Sequence, residues 1–196
     1  MRELIIATHN KGKVKEFKQL LNDLPIQIYS LHDFPEVDEI EETGSTFHEN
    51  AQLKAETIAR QFQKSVLADD SGLVVDALNG APGVYSARYA GEHATDDDNI
   101  AKLLQSLQQT ADADRTAHFI CVLAFAQPEK ETSFHEGKCF GRIIKETKGE
   151  QGFGYDPVFV PRDYDKTFAE LSSDVKNKLS HRSQALKAFK AYLKEE

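Results

Sequence analysis

The ten residues Val66–Val75 read VLADDSGLVV, an apolar segment with two acidic residues at its centre. Val66–Ala68 has the pattern of a short buried strand, which we expect residues 69–72 (DDSG) to interrupt before the apolar pattern resumes at Leu73. Neighbouring side chains in a strand point to opposite faces, so only one of the two aspartates is expected to face a given ligand. The segment therefore predicts a buried strand that ends in a polar turn, where one aspartate faces a ligand.

The N-terminal third of the chain alternates between strand and helix patterns. Leu4–Ala7 is predicted to be a short buried strand, and apolar residues at helical spacing follow it. Thr46 with Glu49 three residues later is a capping-box signal, which predicts a helix that ends near Phe62. Lys54 lies on the apolar face of this helix. Its ammonium group therefore either extends to water or meets a phosphate or a carboxylate in a cleft.

The remaining two thirds continue this alternation. Thr95 precedes three aspartates at the start of a predicted helix, and we interpret this acidic run as a helix start rather than a metal site, because the helix dipole favours it. Thr116–Ala126 and Phe134–Ile144 predict two long strands joined as a hairpin, which makes the sheet mixed. A short strand at Val158–Val160 and a C-terminal helix follow. The chain is thus predicted to be a single α/β domain over residues 1–196.

Composition excludes several classes of protein. The 196 residues carry 24 Lys plus Arg against 32 Asp plus Glu, a net charge of −8, and 40% are apolar, which is too many for a disordered chain. The longest apolar run, Phe119–Ala126, is far shorter than the roughly 20 residues that span a bilayer. Because a polar motif begins at Thr8, we expect no signal peptide. We therefore expect a cytoplasmic protein with no membrane partner, in which Cys121 and Cys139 are buried free thiols.

The acidic total also argues against nucleic acid as a partner, since duplex binders present a basic surface. It leaves room for a single nucleotide, because a local basic cluster with a metal ion holds a triphosphate on an acidic protein.

Two basic helix starts point to an anionic ligand. Residues 8–13 read THNKGK and place a group of lysines where the helix dipole disfavours cations unless an anion binds there: Lys11, Lys13 and Lys15. Gly12 allows the backbone to approach such a ligand closely. Near the C-terminus, residues 180–182 read SHR, so that a serine cap precedes two further cationic side chains. Taken alone, each start is also consistent with a solvated basic turn.

Carboxylates and an aromatic loop supply the other elements of a site. Asp70, with Glu41 or Glu42, offers the oxygen ligands that Mg²⁺ takes together with water and substrate phosphates. The glycine-rich segment Gly149–Pro157 would leave one face of Phe153 open for a base to stack on. Each of these segments, taken alone, is also consistent with an ordinary turn.

Six motifs occur in register along the chain: THNKGK at residues 8–13, ETG at 42–44, DDSGL at 69–73, GAPGVYSAR at 80–88, FGYDP at 153–157 and SHR at 180–182. Together they resemble the inosine triphosphate pyrophosphatase family, in its bacterial RdgB-like branch, from Ile6 to Leu186. The resemblance implies an α/β fold with an elongated mixed sheet flanked by helices, in two lobes around a central substrate cleft. It also implies a homodimer that needs Mg²⁺ and hydrolyses ITP, dITP and XTP to the monophosphate and pyrophosphate.

The resemblance also implies a role for each matched residue. Asp70 becomes a metal ligand and the general base, Glu41 or Glu42 a second metal ligand, and Ser71 a substrate contact. The chemistry of cleavage between the α and β phosphates, rather than the resemblance, gives Lys13 and Lys54 their expected role, which is to hold the negative charge that accumulates on the leaving group. The loop that binds the triphosphate consists of Thr8, His9, Asn10, Lys11, Gly12 and Lys13. The nucleoside pocket consists of Phe153, Gly154, Tyr155, Asp156, Lys176, His181 and Arg182. Ser183 departs from the family pattern, which has Gly or Ala there.

Base selection has a physical explanation at this stage. Hypoxanthine and xanthine carry an oxygen at C6, whereas adenine carries an amino donor, and Arg182 offers only donors. A donor facing a donor is left unpaired, which disfavours ATP; GTP must be excluded through its 2-amino group. Two other readings remain open at this point: a Maf-like pyrophosphatase of another modified nucleotide, and a nucleotide sensor without catalytic activity.

Overall fold

The computed structural model describes residues 3–38 and 40–195, which contain six strands and five α-helices. Strands and helices alternate as far as β4, after which β5 and β6 and then α4 and α5 follow. The strands are β1 (Glu3–Ile6), β2 (Gln27–Ser30), β3 (Val66–Val75), β4 (Thr116–Ala126), β5 (Ser133–Ile143) and β6 (Phe159–Pro161). The helices are α1 (Lys11–Leu20), α2 (Phe47–Phe62), α3 (Asp96–Ser106), α4 (Ser173–Leu179) and α5 (His181–Glu195). The α/β class and the alternation predicted from the sequence are confirmed.

The six strands form one mixed sheet in the order β2-β1-β3-β4-β5-β6. β1 is parallel to both of its neighbours, with Ile5 opposite Val66 in β3, whereas β6 is antiparallel to β5. β4 and β5 lie side by side, as the predicted hairpin requires. The final strand begins at Phe159, one residue later than predicted, because residues 156–158 form a short 3₁₀ turn.

The chain divides into two compact units, and each has its own core. The first unit contains the residues up to Asp70, Cys121–Gly137, and the residues from Ser183 onward. In its core, Phe17 of α1, Leu21 directly after α1 and Phe189 of α5 belong to the same cluster as three strand residues, namely Ile6, Leu67 and Phe125. The second unit contains Ser71–Ile120 and Lys138–Arg182, with a core that includes Leu103, Phe119, Phe159 and Phe168.

The capping signals predicted at Thr46 and Thr95 are confirmed. Thr46 and Glu49 form a reciprocal capping box at the start of α2, which ends at Phe62 as predicted. Thr95 and Asp98 form the same arrangement at α3, and the backbone N–H of Gly154 donates to Asp96 Oδ2 over 2.7 Å. The acidic run therefore satisfies backbone donors, which is its structural interpretation.

One prediction about the segment Val66–Val75 is wrong. Residues 69–72 do not interrupt the strand, because β3 runs without a break from Val66 to Val75. Both Asp69 and Asp70 are buried within it. A strand accommodates buried carboxylates when cations and amides from other elements contact them, and α1 and α2 supply such partners here.

Two further findings concern the cysteines and the length of the apolar helices. Cys121 and Cys139 are free and buried, as expected, and burial raises the pKa of the Cys139 thiol to about 12, which keeps it protonated and unreactive. Within residues 3–38 and 40–195, none of the helices combines the length and apolar character needed to cross a bilayer.

Candidate active site

Lys54 is the central cation of a cluster in the first unit. It lies on the buried face of α2, and its Nζ is 2.5 Å from Glu42 Oε1 and 2.7 Å from the backbone carbonyl oxygen of Asp69. Burial alone would lower the pKa of this ammonium group, but attraction to Glu42, Asp70 and Asp69 outweighs that penalty and raises it. Of the two alternatives left open by the sequence, Lys54 therefore takes the one in which it meets a carboxylate.

The residues that begin α1 form a rigid turn beside the end of β1. Asn10 caps the helix by accepting from the backbone N–H of Lys13 over 3.0 Å, and Thr8 Oγ1 accepts from the backbone N–H of Asn10 over 3.1 Å. The turn directs Lys13 toward β3, where its Nζ is 3.1 Å from Asp69 Oδ1. Lys13 thus adds a second cation to the carboxylate cluster, in spite of the unfavourable helix dipole.

The other residues of this turn point elsewhere. His9 makes an edge contact with the His32 ring, at 5.9 Å between centroids. Lys11 lines an open depression beside α1 together with Lys15 and Lys18, on a different side of the helix from Lys13. Gly12 has no side chain to direct, so its expected contribution is limited to the backbone.

Asp70 is the carboxylate whose surroundings are the most unusual. It is buried in β3, and the Asn50 amide donates to its Oδ2 over 3.0 Å. Burial, with repulsion from Glu42, raises its pKa from the ordinary value to about 6, although Lys54, Lys13 and the Asn50 hydrogen bond oppose the shift. A carboxylate with a pKa near 6 is a stronger base than an exposed aspartate and is still ionised at neutral pH.

This raised pKa predicts a pH-dependent stability. The folded protein holds the Asp70 proton more tightly than the unfolded chain, so ionised Asp70 costs stability above pH 6 and the cost disappears as the pH falls below the ordinary value. In metal-free buffer, Asp70→Asn should be more stable than the original chain at about pH 8. We expect this advantage to shrink by about 2.5 kcal/mol on acidification to about pH 4. Urea unfolding across this range measures it, and a constant difference would contradict the prediction.

The structure separates the two glutamates proposed as metal ligands. Glu41 is exposed, whereas Glu42 is partly buried, contacts Lys54 and acts electrostatically on Asp70. Across the described parts of the chain, no three His, Cys, Asp or Glu side chains converge as a ligand set. The pair Glu42 and Asp70 nevertheless fits a magnesium ion, which takes one or two carboxylates and completes its shell with water and substrate phosphates. Their mutual repulsion is what a divalent cation would relieve.

A second cluster surrounds Phe153 in the second unit. Asp156 Oδ2 accepts from the backbone N–H of Phe153 over 3.0 Å and from Lys176 Nζ over 2.6 Å. Lys176 is buried and also lies 4.9 Å from the centre of the Phe153 ring. Asp156 therefore fixes the loop that presents the aromatic ring, and Lys176 supplies a cation–π contact to it.

Gly152 is required by the same turn. It has a positive φ of 83°, and a Cβ at this position would lie 2.0 Å from Asp156 Oδ2.

The residues of the SHR motif are all buried in the second unit, namely Ser180, His181 and Arg182. Arg182 is only 1% exposed, its Nη2 donates to Ser71 Oγ over 3.0 Å, and its Cζ is 5.9 Å from the Phe153 ring centre. The His181 ring stacks on Phe119 at 4.8 Å. A guanidinium group held this way is preorganised to donate to an oxygen in a fixed direction.

Tyr155 belongs to the core rather than to the rim of this cluster. Its side chain is 4% exposed and its hydroxyl donates to the backbone carbonyl of Ser86 over 2.8 Å. Burial raises the pKa of this phenol above its ordinary range, so the group stays neutral. Its neighbour Gly154 contributes a backbone N–H that is bound to Asp96, as described above.

Two residues of the first cluster were not among those selected from the sequence. Asp69 was set aside because only one aspartate was expected to face a ligand, yet its side chain contacts Lys13 and its carbonyl contacts Lys54. Asn50 is fully buried and contacts Asp70. A signal for Asn50 was present, since it lies one helical turn before Lys54 on the same face of α2.

Comparison with known proteins places this chain in a family. The Ham1 family profile matches residues 4–192. The chain is 54% identical to a dITP/XTP pyrophosphatase of Oceanobacillus iheyensis, with 98% of each chain covered, and 56% identical to one of Shouchella clausii, with 97% and 96% covered. Its fold matches a HAM1 protein from Coxiella burnetii with a TM-score of 0.90, 44% identity and full coverage of both chains. With a match over nearly its whole length, this chain belongs to the Ham1 family.

Proposed function

We propose that this protein hydrolyses deaminated purine nucleoside triphosphates, namely ITP, dITP and XTP, to the monophosphate and pyrophosphate. The observation that carries the proposal is the buried cluster of Asp70, Glu42, Lys54 and Lys13, with one carboxylate of raised pKa among cations. Relatives more than half identical over nearly their whole length, named dITP/XTP pyrophosphatases, support the substrate class. The activity would remove these nucleotides from the pool before they enter DNA or RNA.

Each cluster, taken by itself, suits one part of such a substrate. The lysines and carboxylates of the first unit match a triphosphate with its cation, and α1 begins at the turn from Thr8 to Lys13, where the helix dipole favours an anion. In the second unit, Phe153 offers a ring for stacking, and Arg182 offers donors to a 6-oxo group.

The reaction requires that water attack the α phosphorus while the bond from this phosphorus to the bridging oxygen breaks. That oxygen leaves with the pyrophosphate, and the proton of the attacking water must be accepted. Asp70 is the proposed acceptor, because it is ionised at neutral pH and its raised pKa makes it basic. Lys13 is proposed to counter the negative charge that grows on the leaving group. Lys54 is proposed to hold Glu42 and Asp69 in place.

Mg²⁺ is the proposed cofactor, held by Asp70 and Glu42, and Glu41 is a weaker candidate because it is exposed. When bound, it would neutralise phosphate charge and orient the phosphates. Removal of divalent cations with EDTA should abolish turnover, and added Mg²⁺ should restore it.

We also propose a cytoplasmic homodimer that binds neither membrane nor nucleic acid. Two buried free thiols suit a reducing compartment, and the acidic net charge disfavours a nucleic-acid partner. Light scattering coupled to size exclusion would report a mass near twice that of the chain for a dimer, and a single-chain mass would contradict it.

Product analysis of ITP with Mg²⁺, with ATP and GTP in parallel, tests the proposed reaction. IMP and pyrophosphate from ITP, with little product from the other two, is the expected result. IDP and orthophosphate as products would mean cleavage between the β and γ phosphates, which would contradict the proposed reaction. Tight binding without turnover would indicate a nucleotide sensor, and a preference for a modified pyrimidine nucleotide would indicate Maf-like specificity.

Arg182 is predicted to determine part of the base preference. Because it is buried and its guanidinium only donates, it should favour a 6-oxo purine over adenine. We expect Arg182→Ala to reduce the ratio of kcat/KM for ITP over ATP by about tenfold or more. Arg162→Ala is the control, because Arg162 is exposed and lies over the Phe140 ring instead. An unchanged ratio in the folded Arg182 variant would contradict the assignment.

A further inference from the structure

The Asn50 side chain connects the two segments that carry the proposed metal ligands. Asn50 lies in α2 and is fully buried. Its Nδ2 donates to Asp70 Oδ2 over 3.0 Å, and its Oδ1 accepts from the backbone N–H of Gly44 over 2.7 Å. Gly44 ends the three-residue motif that begins with Glu42. One carboxamide therefore spans from β3 to the loop that supplies the second carboxylate.

The chemistry of the two partners allows only one orientation of this amide. A backbone N–H donates and never accepts, so the Asn50 oxygen must face Gly44. The nitrogen is then left for Asp70, whose ionised carboxylate accepts and never donates. A reversed amide would break both bonds in a buried site, so the side chain is locked in this position.

The loop can approach Asn50 this closely only because residue 44 is glycine. A Cβ at Gly44 would lie 2.6 Å from Asn50 Oδ1 and 2.7 Å from the Cβ of Glu49. Both distances are shorter than any ordinary van der Waals contact. The glycine and the asparagine are thus matched to each other, and together they set the position of the Glu42 loop relative to α2.

We propose that Asn50 is a positioning residue for the pyrophosphatase reaction, which orients the Asp70 carboxylate and anchors the Glu42 loop so that both present oxygens to one divalent cation. This inference rests on the function proposed above. It follows from the restraint that Asn50 places on Asp70, because the hydrogen bond from its amide to Oδ2 favours one orientation of the carboxylate about the Cβ–Cγ bond. Groups that orient a metal ligand in this way typically change metal affinity or activity by about 10–100-fold when they are removed.

The chain contains a matched control for this residue. Asn99 in α3 is also buried, its Oδ1 accepts from the backbone N–H of Ala90 over 2.7 Å, and its Nδ2 donates to the backbone carbonyl of Ala87 over 3.1 Å. Both asparagines therefore make one bond as acceptor and one as donor. They differ in that the amide of Asn50 reaches a carboxylate of the proposed site, whereas Asn99 contacts backbone only in these bonds.

The experiment compares Asn50→Ala with Asn99→Ala in the full chain. Three quantities are measured: the Tm, the steady-state constants for ITP with Mg²⁺, and the affinity of the nucleotide-free protein for Mn²⁺ by electron paramagnetic resonance. Both variants should lower the Tm, because each loses two hydrogen bonds of a buried side chain. Asn50→Ala should reduce kcat by about 10–100-fold with KM changed less than about threefold, and should weaken Mn²⁺ binding about tenfold. Asn99→Ala should leave kcat and Mn²⁺ affinity within about twofold of the original values.

A second variant covers the case in which Asn50→Ala does not fold. Asn50→Asp retains the shape and the acceptor for Gly44, but it replaces the donor to Asp70 with an oxygen, so kcat should still fall by about tenfold or more. Original values of kcat and Mn²⁺ affinity in a folded Asn50→Ala, or an original kcat in Asn50→Asp, would overturn the proposal. Failure of the unaltered chain to hydrolyse ITP would refute the proposed function alone, and the Mn²⁺ measurement would still decide the role of Asn50.

Discussion

Asp70→Asn is expected to reduce kcat for ITP hydrolysis by about 10³-fold or more while the protein remains folded. A general base alone contributes roughly 10²–10⁴-fold, and this substitution would also remove a proposed metal ligand. The asparagine side chain has the same shape, and its oxygen still accepts the Asn50 hydrogen bond. The loss should therefore appear in kcat without a loss of stability.

The control for Asp70 uses a second aspartate of similar chemistry outside the cluster. Asp76 follows β3 and accepts from the Thr116 hydroxyl over 2.6 Å at the protein surface. Asp76→Asn should leave kcat within about twofold of the original value. Steady-state kinetics and circular dichroism on both variants measure the outcome. A folded Asp70→Asn with a near-original kcat would remove Asp70 from the mechanism.

Lys54→Met is the second substitution with a large expected effect, and it should lower both activity and stability. It removes the cation that contacts Glu42 and the Asp69 carbonyl, which leaves the partly buried Glu42 carboxylate without the ammonium group that contacts it. Breaking such a buried pair typically costs about 3 kcal/mol or more. Because the carboxylates would no longer be held in place, we also expect kcat to fall by about 10²-fold.

The matched control for this prediction is Lys64→Met. Lys64 also pairs with a glutamate, Glu3, but both side chains are more than one third exposed. Exposed ion pairs contribute little because solvent screens them, so neither the urea midpoint nor kcat should change measurably. Equal losses in the two variants would mean that the position of Lys54 in the buried cluster has no special importance.

Local sequence patterns were sufficient for the elements that depend on neighbouring residues. The capping boxes at Thr46 and Thr95 follow from interactions within a few residues, which the sequence displays directly. The end of α2 at Phe62 and the two long strands follow from the local pattern of apolar residues. The mixed sheet was also predictable, because a short connection between β4 and β5 favours a hairpin. The six motifs, in their order along the chain, were sufficient to identify the family without tertiary contacts.

The continuity of β3 was not predictable from local pattern. Two adjacent aspartates followed by serine and glycine resemble a turn when they are read alone. They remain in the strand because Lys13 and Asn50 come from distant positions to satisfy the buried carboxylates. A polar residue is compatible with a buried strand only when such partners exist, and these partners lie in other elements.

Residue identity determined much of the candidate site, since the lysines, carboxylates, Phe153 and Arg182 could all be named from the sequence. Tertiary structure decided which of them meet. It directed Glu42 rather than Glu41 toward Lys54, placed Tyr155 in a core, and brought Asn50 against Asp70. The physical reason is that burial and hydrogen bonding depend on distances between segments far apart in the chain, which a linear pattern does not contain. The raised pKa of Asp70 depends on the same distances, and so it too became visible only in the folded protein.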